Sequence, residues 1–418
     1  MNTFKLSNGI RIIHKSSPTN VAYCGIAIDA GTRDEMPDEY GIAHFCEHIM
    51  FKGTKRRKSW HIINRMESVG GDLNAYTNKE ETVVYAAFMK EHISRAVELI
   101  SDIVFNSTYP QTEIDKEKDV IVEEIESYND SPADLIFDEF EDFIYEGADL
   151  GHDILGKSDE IRMFNHENLT RFVSRMYSPF RMVFFVFGDY EFDRLKRIIE
   201  KETDKCISQR ENNDGLKSLN PKIVRNKIDT FKNKYSGKQI TRHKNTHQAH
   251  VMIGCRAYAA NDPRRIALYF LNNIIGGPSM NSLLNIVLRE HNGLVYNVES
   301  NLNNYTDTST FSIYFGCDEK DIELCISLVR EELEKLMNIP LSRVKFNSCL
   351  RQIKGQIGVS CDNFESYALD MCKSYLHYDK FEGIEETYSQ LDSLSPEMLQ
   401  DVSRELFCED NMTTLIYR

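Results

Sequence analysis

The stretch HFCEHIMFKGT, residues 44–54, sets two histidines, His44 and His48, around one glutamate, Glu47. In the more familiar zinc-peptidase helix, H-E-x-x-H, the acid directly follows the first histidine; here it directly precedes the second. Residues four apart on a helix share a face, so His44 and His48 can each aim a ring nitrogen at one ion, and Glu47 borders that face. Zinc suits such a set, because two imidazoles and a carboxylate leave a fourth position open for water. A third protein ligand is then required, a carboxylate or histidine from another element. The helix predicted over 112–128, TEIDKEKDVIVEEIESY, is the best source, since Glu117, Ile121, Glu124 and Tyr128 share one of its faces.

The chain around this stretch has 418 residues, too many for one core and about right for two domains. Hydrophobic residues make up 41% and charged residues 28%, the balance of a globular protein. A net charge of −15 argues against nucleic acid and anionic membrane surfaces as partners. No run approaches the roughly 20 apolar residues of a membrane span. The opening MNTFKLSNGIRIIHK carries neither an apolar signal core nor an Arg/Ser-rich transit pattern, and reads as a hairpin turning at Asn8-Gly9. The ten cysteines include no C-x-x-C pair and read as buried thiols, with the cytoplasm as the expected compartment.

Two segments read as variations of one another. HVMIGCRAYAA (250–260) resembles the strand VAYCGIAIDAG (21–31), and SNLNNYTDTSTFSIYF (300–315) aligns with GDLNAYTNKEETVVYAAF (71–88). The second copy has no H-x-x-E-H. The pattern predicts an α+β fold of two tandem homologous domains, each a mainly antiparallel sheet packed with helices. The expected boundaries are 1–205 for the metal-binding domain, 206–238 for a polar linker with some extended segments, and 239–418 for the second domain.

GIAHFCEHIMFKGT resembles the signature of the pitrilysin/insulysin/mitochondrial-processing-peptidase family, the inverzincins, in a single-half form of bacterial type. The resemblance extends over EKDVIVEEI (117–125), GGDLNAYTNKEETVVY (70–85), LGHDILG (150–156), MYSPFRMVFFVFGD (176–189) and LREHNGLVYNVES (288–300). It implies one Zn2+ per chain, held by His44, His48 and Glu124, with Glu117 hydrogen-bonded to a ligand or to the metal's water. It implies zinc endopeptidase activity on small unfolded peptides or processing segments, with Glu47 as general base. Arg289 and Tyr296 would meet the substrate, and Asn74, Ala75 and Tyr76 would form an edge strand that receives it. The implied partner is a second chain, identical or related, bringing its Arg289 and Tyr296 to the other chain's zinc. Cys46 stands where the family often has leucine, and Leu283 and Asn292 replace common arginines, which touches substrate preference rather than the metal. His152 and Cys46 read as structural. The alternative is a non-catalytic scaffold subunit of the same fold.

Overall fold

The Asn8-Gly9 turn forms as its residues dictate: Gly9 takes a φ of +101°, and strands β1 (Asn2–Lys5) and β2 (Arg11–Lys15) pair antiparallel across it. The computed structural model describes residues 1–214, 225, 228, 236–244 and 246–418. The chain continues through β3 (Val21–Ile28), α1 (Ile42–Met50), α2 (Ser59–Glu67), β4 (Asp72–Thr77), β5 (Thr82–Met89), α3 (Ile93–Asn106) and α4 (Gln111–Asn129). Next come α5 (Pro132–Ile144), α6 (Ser158–Met163), α7 (His166–Met176), β6 (Met182–Phe187) and α8 (Phe192–Asp214). The second half holds β7 (Gln239–Arg242), β8 (Ala249–Ala257), α9 (Arg265–Gly276), a π-helical turn (Asn285–His291), β9 (Val295–Asn304) and β10 (Ser309–Cys317). It closes with α10 (Ile322–Asn338), α11 (Arg343–Ser360), α12 (Phe364–Tyr378), α13 (Ile384–Asp392), α14 (Pro396–Leu406) and β11 (Thr413–Tyr417).

The strands form two sheets, ordered β1-β2-β6-β3-β5-β4 and β7-β11-β8-β10-β9. The duplication is visible in the pairing. In the first sheet β6 runs parallel to β2 and antiparallel to β3, and β5 lies between β3 and β4, antiparallel to both. In the second sheet β11 runs parallel to β7 and antiparallel to β8, and β10 lies between β8 and β9, antiparallel to both. Each sheet thus ends in a hairpin whose last strand, β4 or β9, is an edge.

The two compact units are not the contiguous stretches 1–205 and 239–418. The first comprises Met1–Glu126, His152–Arg225 and Cys361–Phe381, and the second Ser127–Gly151, Asn226–Ser360 and Glu382–Arg418. Side-chain alternation explains the exchange. One face of the first sheet, including Ile26, Val84 and Phe184, packs on α1, α3, α4, α7 and α8. The other face presents Ala27, Val83, Val183 and Phe185, and it is covered by Ala368, Met371, Cys372 and Leu376 of α12. In the second sheet Met252, Tyr314 and Leu415 are likewise covered by Leu135, Ile136, Phe140 and Ile144 of α5. Each fully buried Val, Leu, Ile, Phe or Met among them is worth about 1.5–3 kcal/mol before entropy losses.

The expected linker also shifts. α8 runs as a helix to Asp214, and Leu195, Ile199, Thr203 and Cys206 give its first part a buried stripe. Most of 206–238 lies outside the described residues. Among the described residues no helix is long and apolar enough to cross a membrane.

A buried ion cluster fastens α12 to the first sheet. Glu81, in the β4–β5 connection, lies 2.9 Å from His377 Nε2 and 2.9 Å from Lys373 Nζ. Burial opposes ionisation of Glu81, but its bonds to His377 and Lys373 outweigh that and hold its carboxyl down at about 2. A group with a depressed folded pKa stabilises above its unfolded value, and that contribution is lost as pH falls toward the folded value. Glu81→Gln is therefore expected to cost about 3 kcal/mol at neutral pH. Urea denaturation over a pH series should show the gap between wild type and variant shrinking from about pH 5 downward. A gap independent of pH would refute the ionic account.

Candidate metal centre

Helix α1 starts where only glycine enters comfortably: Gly41 has a φ of +89°, and a Cβ there would meet Leu155 O at 2.6 Å. Its first N–H groups are satisfied by Glu35, whose carboxyl oxygens accept from Gly41 N at 2.9 Å and Ala43 N at 2.8 Å. Full burial pushes the Glu35 carboxyl well up from its ordinary range. His152 Nε2 lies 3.0 Å from Thr32 O and 3.1 Å from Glu35 Oε2, and its ring stacks on Tyr40. These contacts give His152 a place in the support of α1. Ile42, Ala43, Phe45, Cys46, Ile49 and Met50 sink into the first core, and His44, Glu47 and His48 share the remaining face.

Helix α4 meets that face. His44, His48 and Glu124 can each offer a ligand atom, all within 4.8 Å of one another. Glu124 Oε1 lies 3.9 Å from His44 Nε2, and Glu124 Oε2 lies 3.6 Å from His48 Nε2. These spacings approach the roughly 3.4 Å edge of a tetrahedron with ~2.1 Å metal bonds. The two rings sit 4.5 Å apart between centroids. Burial, reinforced by the neighbouring His48, lowers the His44 pKa to about 3, so this imidazole is neutral and its lone pair is free for a cation.

His48 is tied from behind. Its Nδ1 lies 3.1 Å from Glu117 Oε1, which fixes the ring with Nε2 toward Glu124. Burial works against its protonation, but Glu117 and the charges of Glu47 and Glu124 prevail and raise its pKa. Glu117 is itself buried, yet its bonds to His48 and Lys52 hold its pKa down. Lys52 Nζ sits 2.7 Å from Glu117 Oε2. Glu47, outside the ligand set, accepts a 3.3 Å hydrogen bond from Thr77 Oγ1, and burial raises its pKa. Three carboxylates face one ammonium here, an excess of negative charge that a dication offsets. The residues present therefore fit a zinc ion.

Other predicted residues fall as follows. β4 is the outer strand of its sheet, with Asn74, Ala75 and Tyr76 paired to Tyr85, Val84 and Val83. Only Ala75 turns its side chain toward the α1 core; Tyr76 packs among the α12 residues on the opposite face, and Asn74 shares that parity. The side chains of the three thus alternate between the two faces of this outer strand. Arg289 and Tyr296 lie in the second unit and meet there, the guanidinium 5.5 Å from the ring centroid. Arg289 stands on the π-helical turn, and Tyr296 is 86% exposed rather than a core residue. The sequence reading missed Lys52 and Thr77. The only signal for Lys52 is its spacing of four from His48.

The second unit carries a neutral counterpart. Asn273 stands as far beyond Gly254 of β8 as His44 stands beyond Gly25 of β3, and Gln356 as far into α11 as Glu124 into α4. Asn273 Nδ2 donates to Gln356 Oε1 at 2.8 Å, so amides close on each other where the first unit has a ligand pair.

Two imidazoles and a carboxylate from adjoining helices, with a further carboxylate beside them, define a mononuclear metal centre of hydrolytic type. The sequence profile of the insulinase family (peptidase family M16) matches residues 11–158, and that of the peptidase M16 inactive domain matches residues 164–353. The uncharacterized zinc protease YmxG of Bacillus subtilis is 31% identical, over 99% of this chain and 97% of its own. The beta subunit of the mitochondrial-processing peptidase of Bos taurus is 27% identical, over 95% of this chain and 80% of its own. A protease of solved structure from Helicobacter pylori shares the fold with a TM-score of 0.88 at 21% identity, covering 100% of this chain and 99% of that one. The chain belongs to the insulinase family, peptidase family M16, as a single-half member, and its cofactor is zinc.

Because Glu117 holds the ring of His48, a candidate ligand, Glu117→Gln is expected to weaken zinc binding by about 10- to 100-fold. His44→Ala should abolish stoichiometric uptake. Competition against a chromophoric chelator checks both.

Proposed function

We propose that the chain is a zinc endopeptidase that hydrolyses peptide bonds in small unfolded peptides or processing segments, with Glu47 as general base. The observation that carries this reading is the placement of Glu47. It shares the face of the two histidines, senses the charges of His48 and Glu124, and takes no part in the ligand set. A purely structural zinc has four protein ligands and no use for such a neighbour. Bound zinc supplies a water whose pKa falls from 15.7 toward about 7 and polarises the scissile carbonyl. Glu47 takes the proton of the attacking water and returns it to the leaving amine nitrogen. Thr77 keeps the carboxylate turned toward the reaction by donating to Oε2.

The edge of β4 receives the substrate. An edge strand pairs with extended backbone whatever the side chains, which selects unfolded segments and tolerates sequence. Asn74, Ala75 and Tyr76 contribute main-chain groups to this pairing. Arg289 and Tyr296 serve the substrate carbonyl and the developing oxyanion. The pair acts on the zinc site of a second chain, identical or related, in a dimer.

Two experiments test this. Zinc-loaded chain incubated with a random peptide mixture should yield chelator-sensitive cleavage, mapped by mass. Glu47→Gln should lower kcat by about 10²–10⁴-fold while retaining zinc. Full zinc occupancy without any cleavage would leave the scaffold reading in its place. For sharing in trans, Glu47→Gln chains mixed with Tyr296→Phe chains should recover activity above both parent dimers; no recovery removes the shared site.

A further inference from the structure

Helix α1 holds two charged partners for the same α4 carboxylate. Glu117 Oε1 is 3.1 Å from His48 Nδ1, and Glu117 Oε2 is 2.7 Å from Lys52 Nζ. Each oxygen thus has its own donor, and the donors are four residues apart on one helical path, although Lys52 lies just past the helix end. The Glu117 side chain is 8% exposed and that of Lys52 30%. A buried carboxylate with an imidazole as its only donor is poorly compensated and free to turn about its terminal bond. A charge-assisted bond at the second oxygen offsets the burial and fixes the plane of the carboxylate. That plane sets the direction of the His48 ring, whose Nε2 must meet Glu124 across the metal position. Lys52 forms no other ion pair among the described residues.

We propose that Lys52 is a positioning residue of the zinc site: through Glu117 it orients His48, and it thereby raises zinc affinity despite its own positive charge. The proposal rests on the assignment of zinc to His44, His48 and Glu124. Its sign is its sharpest feature. By Coulomb's law alone, removing a cation near the site strengthens binding of a dication. Removing a positioning group weakens it.

The test uses the full chain and zinc itself, in competition with a chromophoric chelator at neutral pH. Lys52→Met keeps most of the aliphatic stem and is expected to weaken zinc binding about 3- to 10-fold, less than loss of the direct partner Glu117. Lys52→Arg, which can still donate to Glu117, should restore affinity to within about twofold of wild type. In a Glu117→Gln background Lys52→Met should have little further effect, because the two residues act as one unit. Melting of the metal-free proteins serves as the folding control. Unchanged or tighter zinc binding by Lys52→Met overturns the proposal, and so does an equal loss with and without Glu117. His48→Ala separates the two levels of inference. If wild type takes up one zinc that His48→Ala loses, a silent Lys52→Met sinks only the positioning role. If wild type takes up none, the zinc site falls and the proposal with it.

Discussion

The three candidate ligands come from two helices and converge only while those helices keep their register, and Glu117 on His48 and Lys52 is a polar contact that spans the two. Both partners belong to the α1 segment and the acceptor to α4, so one carboxylate bridges two points one turn apart. The neighbouring features serve the same end. Glu35 holds the first turn of α1, and the apolar side of the helix is sunk in the core. On α4, Ile114, Ile121, Val122 and Ile125 anchor the helix while Glu117 and Glu124 emerge beside them. Charge is gathered in quantity only where packing has already removed the freedom to avoid it.

Much of this was legible in the sequence, for different reasons at different places. The histidines and Glu47 lie in one stretch, so helical geometry alone makes them neighbours. Glu117 and Glu124 were visible as two acids on an apolar helix face, but their division of labour depends on an interhelical register that no local pattern encodes. Lys52 was hidden because a lysine four residues from a polar partner is among the commonest of surface pairs. The faces to which Asn74, Ala75 and Tyr76 turn were not legible, because strand parity is fixed only by the pairing of Ala75 with Val84. The strands and the duplication were readable because alternation and repetition are local. The ownership of α12 was not, since Ala368, Met371, Cys372 and Leu376 declare a buried stripe without naming the sheet that buries it. The helical course of α8 to Asp214 was masked by its polar outer side.

The two units give contrasting answers on the same scaffold. In the first, imidazoles and carboxylates stand with lone pairs turned inward, an arrangement whose charge is balanced by an ion. In the second, Asn273 Nδ2 donates to Gln356 Oε1, and Gln356 Nε2 donates in turn to Ser279 Oγ. An amide carries its own donor and acceptor, whereas a neutral imidazole facing a carboxylate leaves acceptors opposed. One copy is thus open to metal, and the other is complete as packed protein.

The exchange of α12 reaches into biosynthesis. By the time Phe187 has been made, every strand of the first sheet exists, yet the surface formed by Ala27, Val83, Val183 and Phe185 awaits a helix that starts at Phe364. At about 5–20 residues per second, the nascent chain carries that uncovered apolar surface for some ten seconds or more. During that interval it invites chaperones and premature association. The unit that carries the candidate metal centre therefore cannot be finished by the first half of the message: its core is sealed only when translation has passed α12, well into the second half.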